Sequence, residues 1–238
     1  MQANSSPVTS NQTGIHDQLR TLVERHAQSL YRRPVAAYSQ HAFETAIAAW
    51  QSAGKAPLIV DAGCGVGLST RRLAQLYPDS FVIGIDQSAD RLATEVRWQG
   101  GDLHNLVLVR ADLVDFWRLM RTSGVHPSRH YLLYPNPWPK KSQLARRWHG
   151  HPVFPALLAL GGHIECRSNW KIYIEEFASA AAQLTGQSVD CESFQPDPAA
   201  LTPFEEKYRA SGHALWRCRL ELAPADSTAN RPTPGRLM

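Results

Sequence analysis

The chain has 238 residues, 43% of them hydrophobic, enough for one sizeable core and a squeeze for two full domains. No apolar run approaches the roughly 18 residues of a membrane span, so no membrane partner is expected. The net charge of +4 is mild and excludes few partners; its distribution along the chain says more.

The opening "MQANSSPVTSNQTG" is polar and lacks the apolar segment of a secretory signal, so residues 1–14 are expected to be a disordered leader. Ile15, Leu19, Leu22, Val23 and Leu30 recur at helical spacing. Pro34 interrupts, and Phe43, Ala46, Ile47 and Trp50 repeat it. Residues 15–55 therefore form an N-terminal helical extension. From residue 56 the chain alternates. "APLIVDAG", "FVIGID", "NLVLVRAD", "HYLLYP" and "GGHIECRS" read as strands, and "STRRLAQLY", "ADRLATEVRW" and "LVDFWRLMR" as the helices between them. Trp170, Tyr173, Ile174, Phe177, Ala178, Ala181 and Leu184 make one later helical stripe, with Ser168 or Asn169 as its cap. "ALWRCRLEL" is a late strand. Such alternation predicts an α/β domain, a mostly parallel sheet flanked by helices, over residues 56–223. Residues 224–238 are polar and read as a flexible tail. Cys64, Cys166, Cys191 and Cys218 lack metal-binding or disulfide spacing, so a reducing, cytoplasmic setting without a structural metal is expected.

Between Asp115 and Glu165 there is no acidic residue, while Arg118, Arg121, Arg129, Lys140, Lys141, Arg146, Arg147 and five histidines fall there. Such a segment fits either a polyanionic partner or a solvated face. His149 and His151 read as surface or RNA-facing histidines, since no third metal ligand lies near them in sequence.

"VDAGCGVGLST" closes the first strand and opens a helix. Gly63, Gly65 and Gly67 let the backbone turn tightly and approach a ligand. Asp86 ends the second strand, where an acid can accept ribose hydroxyls, and Asp112 ends the third, where an adenine edge would lie. Asp61 suits the ammonium of an amino-acid moiety better than a pyrophosphate, which it would repel. The set therefore favours S-adenosylmethionine over a dinucleotide, and the loop resembles the first motif of class I methyltransferases.

"YLLYPNPWPKK" ends the fourth strand. Prolines on both sides stiffen the backbone of Asn136, Trp138 offers a flat face to a base, and Lys140, Lys141, Arg146 and Arg147 suit phosphates. Together with "GGHIECRSNW" and "LTPFEEKYRASGHALWRCRLE", this loop resembles the tRNA (guanine-N7)-methyltransferase family over roughly residues 57–222. The resemblance implies a Rossmann-like class I methyltransferase fold with a seven-stranded sheet, S-adenosylmethionine as methyl donor and tRNA as substrate. It implies cofactor roles for Asp61, Gly63, Gly65, Gly67, Asp86, Asp112 and Asn136, and catalytic roles for Asn136, Asn169 and Glu205. Trp138, Lys140, Lys141, Arg146, Arg147, Asn169, Thr202 and Glu205 are the substrate-side set, in a monomer or homodimer.

Two positions depart from that family. Asn136 stands where it has aspartate in the proline loop, and Ser168-Asn169 where it has Thr-Asp. Both departures remove a carboxylate from the expected reaction centre, and Glu205 is a candidate to supply one. The Asn-Pro-Trp sequence also resembles the Asn-Pro-Pro-aromatic loop of methyltransferases acting on exocyclic amines. An RNA binder keeping a relic cofactor pocket is a third reading.

Overall fold

The computed structural model describes residues 5–29, 31–96, 98–196 and 199–225. Leu58–Ala62 (β1) and Phe81–Asp86 (β2) are buried along their whole length, as strands covered on both faces must be. With Leu106–Arg110 (β3), Arg129–Leu133 (β4), Gly162–Ser168 (β5), Glu192–Phe194 (β6) and Leu215–Leu222 (β7) they form one seven-stranded sheet, ordered β3-β2-β1-β4-β5-β7-β6. The first five strands in that order run parallel, and β7 pairs antiparallel with both β5 and β6.

The two-residue period of the strands sorts their side chains. Leu58, Val60, Ala62, Phe81, Ile83 and Ile85 face the larger core. Ile59, Val82, Tyr131 and Leu133 face the smaller one. The larger core is covered by Leu19–Ala27 (α1), Ala37–Ser52 (α2), Leu113–Thr122 (α5), Phe154–Ala159 (α6) and Lys171–Thr185 (α7). In it α1 lies on α7, and α2 lies on α5 and β3. The helical extension is thus part of the core and supplies Leu19, Val23, Phe43 and Ala46 to it. On the other face Leu68–Leu76 (α3) brings Leu73 and Ala74 to Ile59 and Val82.

Gly84 and Gly67 set how closely α3 approaches the sheet. A Cβ on Gly84 would lie 2.3 Å from Thr70 Oγ1 and 2.6 Å from Leu108 Cδ2. One on Gly67, whose φ is +77°, would lie 2.6 Å from Leu108 Cδ1.

Several expectations need correction. The expected helix in "ADRLATEVRW" shrinks to the four residues Ala89–Leu92 (α4). Thr94 folds its hydroxyl back to the Asp90 carbonyl (2.8 Å), and the chain leaves the helix there. Ser168 does not cap α7. Its hydroxyl accepts from Trp170 N–H, and the helix begins one residue later. Residues 5–14 contain no helix or strand, yet Gln12 is buried and Ser10 and Ser5 bond to distant parts of the chain, so this stretch is not a disordered leader. Residues 1–4, Leu30, Arg97 of the expected helix after β2 and residues 226–238 of the expected tail lie outside the described residues. No described helix is long and apolar enough to cross a membrane.

Candidate active site

The C-terminal ends of β1 to β4 meet at one sheet edge, where α/β folds of this kind take ligands. Gly63, Gly65 and Gly67 leave β1 with φ of +82°, +59° and +77°, a left-handed backbone that a side chain would strain. A Cβ on Gly63 or Gly65 would meet nothing within 4 Å, so the loop borders open space. Asp86 closes β2 with its carboxylate nearly buried. One oxygen accepts the Gly65 N–H (2.9 Å) and the other the Ser88 N–H (2.8 Å). The Arg91 guanidinium lies 3.6 Å from the first of these oxygens, and of a carboxylate's roughly four acceptor sites two are taken by the backbone bonds, which leaves room for hydroxyls. The Gly65–Asp86 bond also fixes the glycine loop of β1 to the end of β2.

Asp61 is tied to α3. It is 1% exposed, and its Oδ2 accepts the hydroxyls of Ser69 (2.6 Å) and Thr70 (2.7 Å) in the first turn of α3. Burial pushes its pKa up to about 6; the two hydroxyls pull the other way, and Asp86 adds to the rise. It braces the loop and lends it negative charge. Asp112 also carries a structural duty. It caps α5 by accepting the Val114 N–H (2.9 Å), and Arg33 of the extension bonds it at 2.8 Å while bonding Asp115 at 2.8 Å. Cys64 is buried within the loop, and burial raises its thiol far above the ordinary range, so it is an inert filler. The cofactor implied by the fold is S-adenosylmethionine. The space beside Gly63 and Gly65, the spare lone pairs of Asp86 and the negative loop fit its ribose and its cationic end.

The proline loop starts where β4 ends, beside β1. Tyr134 and Trp138 both have positive φ, +54° and +45°. Each end of the loop is held. Tyr134 donates its N–H to the Arg167 carbonyl (2.9 Å) and its hydroxyl to Glu205 (2.9 Å). Arg147 donates to the Trp138 carbonyl (3.1 Å). Between them Asn136 is exposed, as are Lys140, Lys141 and Arg146. The Arg146 guanidinium lies 4.8 Å over the Trp138 ring, so one face of that half-buried indole is already taken. Asn169, after β5, donates to His213 Nδ1 (3.3 Å). His213 then carries its proton on Nε2 and donates it to the Ser5 carbonyl (2.9 Å).

Three expected roles change. Glu205 is fully buried, and its carboxylate accepts from Tyr134, Arg167 (2.9 Å) and Leu201 N–H (2.6 Å), so it is not free to face a base. It sits three residues after Thr202, whose hydroxyl caps Pro203–Ala210 (α8) by accepting the Glu205 N–H (3.0 Å). Thr-x-x-Glu is a helix-start signal, and the sequence carried that meaning too. Arg147, expected on phosphates, is fully buried against Glu176 with its guanidinium 4.9 Å over the Trp170 ring. His149, expected at the surface, is buried as well and bonds Glu176 at 2.9 Å. No cluster of metal-ligating side chains occurs among the described residues.

Glu176 itself was missed. It lies within the apolar stripe of α7, and an acid there requires a buried cation as partner. Burial would raise its pKa, but His149 and Arg147 hold it down to about 2.

Residues 55–218 match a family model described as "Putative methyltransferase". A tRNA (guanine-N(7)-)-methyltransferase of Acidovorax sp. (strain JS42) is 29% identical over 173 residues, 68% of this chain and 66% of that protein. One of Cupriavidus pinatubonensis is 26% identical over 195 residues, 77% and 74% of the two chains, and one of Aromatoleum aromaticum is 30% identical over 172 residues, 68% and 64%. Among solved structures, a 16S rRNA methyltransferase KamB superposes with a TM-score of 0.50 at 17% identity, covering 81% of this chain and 97% of that one. An antibiotic-related methyltransferase gives the same score and identity over 70% and 88%. The glycine loop, the sheet order and a family match that spans most of the chain agree: this chain belongs to that methyltransferase family.

Proposed function

We propose that the protein transfers the methyl group of S-adenosylmethionine to N7 of a guanine in tRNA, in the cytoplasm. The observation that carries the reading is the stiff Asn136 loop at the end of β4, directly beside the glycine loop of β1. The names of its relatives support the substrate.

S-adenosylmethionine supplies an electrophilic methyl on a sulfonium. Guanine N7 already has a lone pair, so the chain needs no base to remove a proton before attack, and its task is alignment. Asn136, exposed between two prolines, can both donate to and accept from a guanine edge. Lys140, Lys141 and Arg146 carry the phosphates. Positive charge develops on the purine as the methyl moves, and the amide oxygens of Asn136 and Asn169 face it less strongly than carboxylates would.

The test is to incubate the protein with methyl-labelled S-adenosylmethionine and unmodified tRNA, then digest and separate the nucleosides. Label in 7-methylguanosine is expected. Label in an exocyclic-amine product, or none despite measurable cofactor binding, overturns the reading.

A further inference from the structure

Three consecutive carbonyls of the proline loop are met by groups from elsewhere in the chain. Trp138 O accepts from Arg147 Nε (3.1 Å), Pro139 O from Ser10 Oγ (2.6 Å) and Lys140 O from Arg147 Nη2 (3.4 Å). The loop cannot satisfy itself through a strand ladder, because Pro135, Pro137 and Pro139 have no N–H. The donors are themselves anchored. The same Arg147 Nη2 reaches Gln12 Oε1 (3.0 Å), and Nη1 pairs with Glu176. Gln12 Nε2 donates to Glu176 and to the Gly14 carbonyl (2.7 Å), and the His16 N–H also reaches Glu176 (2.9 Å). The far end of the segment is pinned too, with Ser5 bonded to Ser211 (3.3 Å) and to His213, the partner of Asn169.

We propose that residues 5–14 are a strap that sets the substrate loop, and that Arg147 is a positioning residue for the accepting base. Resting on the reading that this loop meets the tRNA, the strap fixes Trp138 in its left-handed backbone and so aims Asn136. A purely structural ion pair needs no contact with the loop, whereas this guanidinium divides its donors between Glu176, the strap and two loop carbonyls. Only a rigid five-donor fork can do so. A lysine in its place could hold Glu176 but not span the set.

Hydrogen exchange on the full chain with bound S-adenosylmethionine tests the strap without requiring tRNA activity. The reporters are the amides of Lys140, bonded to Gln143 Oε1 (3.2 Å), and Gln143, bonded to the Lys140 carbonyl (2.9 Å). Ser10→Ala and Gln12→Ala should raise exchange there about tenfold, the loss of a hydrogen bond or two, and leave β5 amides unchanged. Arg147→Lys should do more. Unchanged exchange at both reporters in the two strap variants overturns the proposal, as does a rise shared equally by β5, which would mean only global loosening. Ser10 is partly exposed, so its variant keeps the test decisive if Arg147→Lys fails to fold. In tRNA assays the strap variants should lower kcat about tenfold with the cofactor Kd unchanged, and an unaltered kcat with a loosened loop also sinks the positioning role. Failure of the wild type to methylate tRNA would remove the substrate reading and leave the exchange result to decide the strap.

Discussion

Asn136 and Arg147 stand eleven positions apart in one basic, proline-rich stretch, and the structure gives them opposite environments: Asn136 is exposed and Arg147 fully buried. With Glu205 closed off by Tyr134, Arg167 and Leu201, no carboxylate from that position can face the purine. Asn136→Asp should therefore raise the rate of N7 methylation, by about tenfold if one carboxylate at the developing cation is the missing element. Single-turnover kinetics with saturating cofactor would measure it, and a slower variant would show that the amide itself holds the base. At this scale the sequence was readable where chemistry and backbone agree. Gly63, Gly65 and Gly67 each need a positive φ, and Asp86 must close its strand. It was not readable where identical residue types divide by burial. Arg146 and Arg147 are neighbours, yet one stacks on Trp138 at the surface and the other lies inside against Glu176. Only the acid on the apolar face of α7 hinted that one arginine would be internal.

Between elements, the contact that governs the cofactor loop is α3 against β2. Gly84 permits it, and Thr70, which would be struck first by a Cβ there, also holds Asp61. Gly84→Ala should cost about 1–3 kcal/mol by overpacking. It should also weaken S-adenosylmethionine binding, because moving Thr70 releases the brace on the glycine loop. Urea midpoints and calorimetry report the two effects. An unchanged midpoint would mean that Leu108 and Thr70 yield freely. The strands and the long helices α2, α5 and α7 were legible because their periodicity extends over enough residues to be unambiguous. The three-residue β6, α6 and the 3-10 turns at Lys141–Arg146 and Trp148–Gly150 were not, since short elements are fixed by their neighbours and carry little pattern of their own. The helix expected after β2 failed for a related reason. Its residues are mostly exposed, so no apolar stripe rewards extending it past Leu92.

Across the whole molecule, buried carboxylates give stability a definite pH profile. Burial would raise Glu165, but His163, Arg167 and Arg217 hold it down to about 2, as His149 and Arg147 do for Glu176. Both lie below the ordinary 4.5, so their stabilisation is fully present above that pH and is lost as pH falls toward 2. Asp61 has the opposite sign. Its folded pKa of about 6 exceeds the ordinary 3.8, so the fold favours its protonated form. That contribution is complete below 3.8 and gone once pH has risen through 6, where the buried charge must be tolerated. Burial also holds His130, His149 and His151 below the ordinary 6.5, His130 to about 3 and His151 to about 4, so their stabilisation is present above 6.5 and is lost as pH falls. The protein should therefore lose stability as pH falls below about 6.5, with Asp61 and His163 opposing the loss. Asp61→Asn keeps an acceptor for Ser69 and Thr70 and removes the charge. Its melting temperature should exceed the wild type's at pH 8 by on the order of 5 °C, and the gap should close as pH falls below 6. The same variant should bind S-adenosylmethionine more weakly at pH 8, because the loop has lost its negative charge, so stability and cofactor affinity would move in opposite directions. A melting difference that stays constant from pH 5 to 8 would show that Asp61 ionises normally.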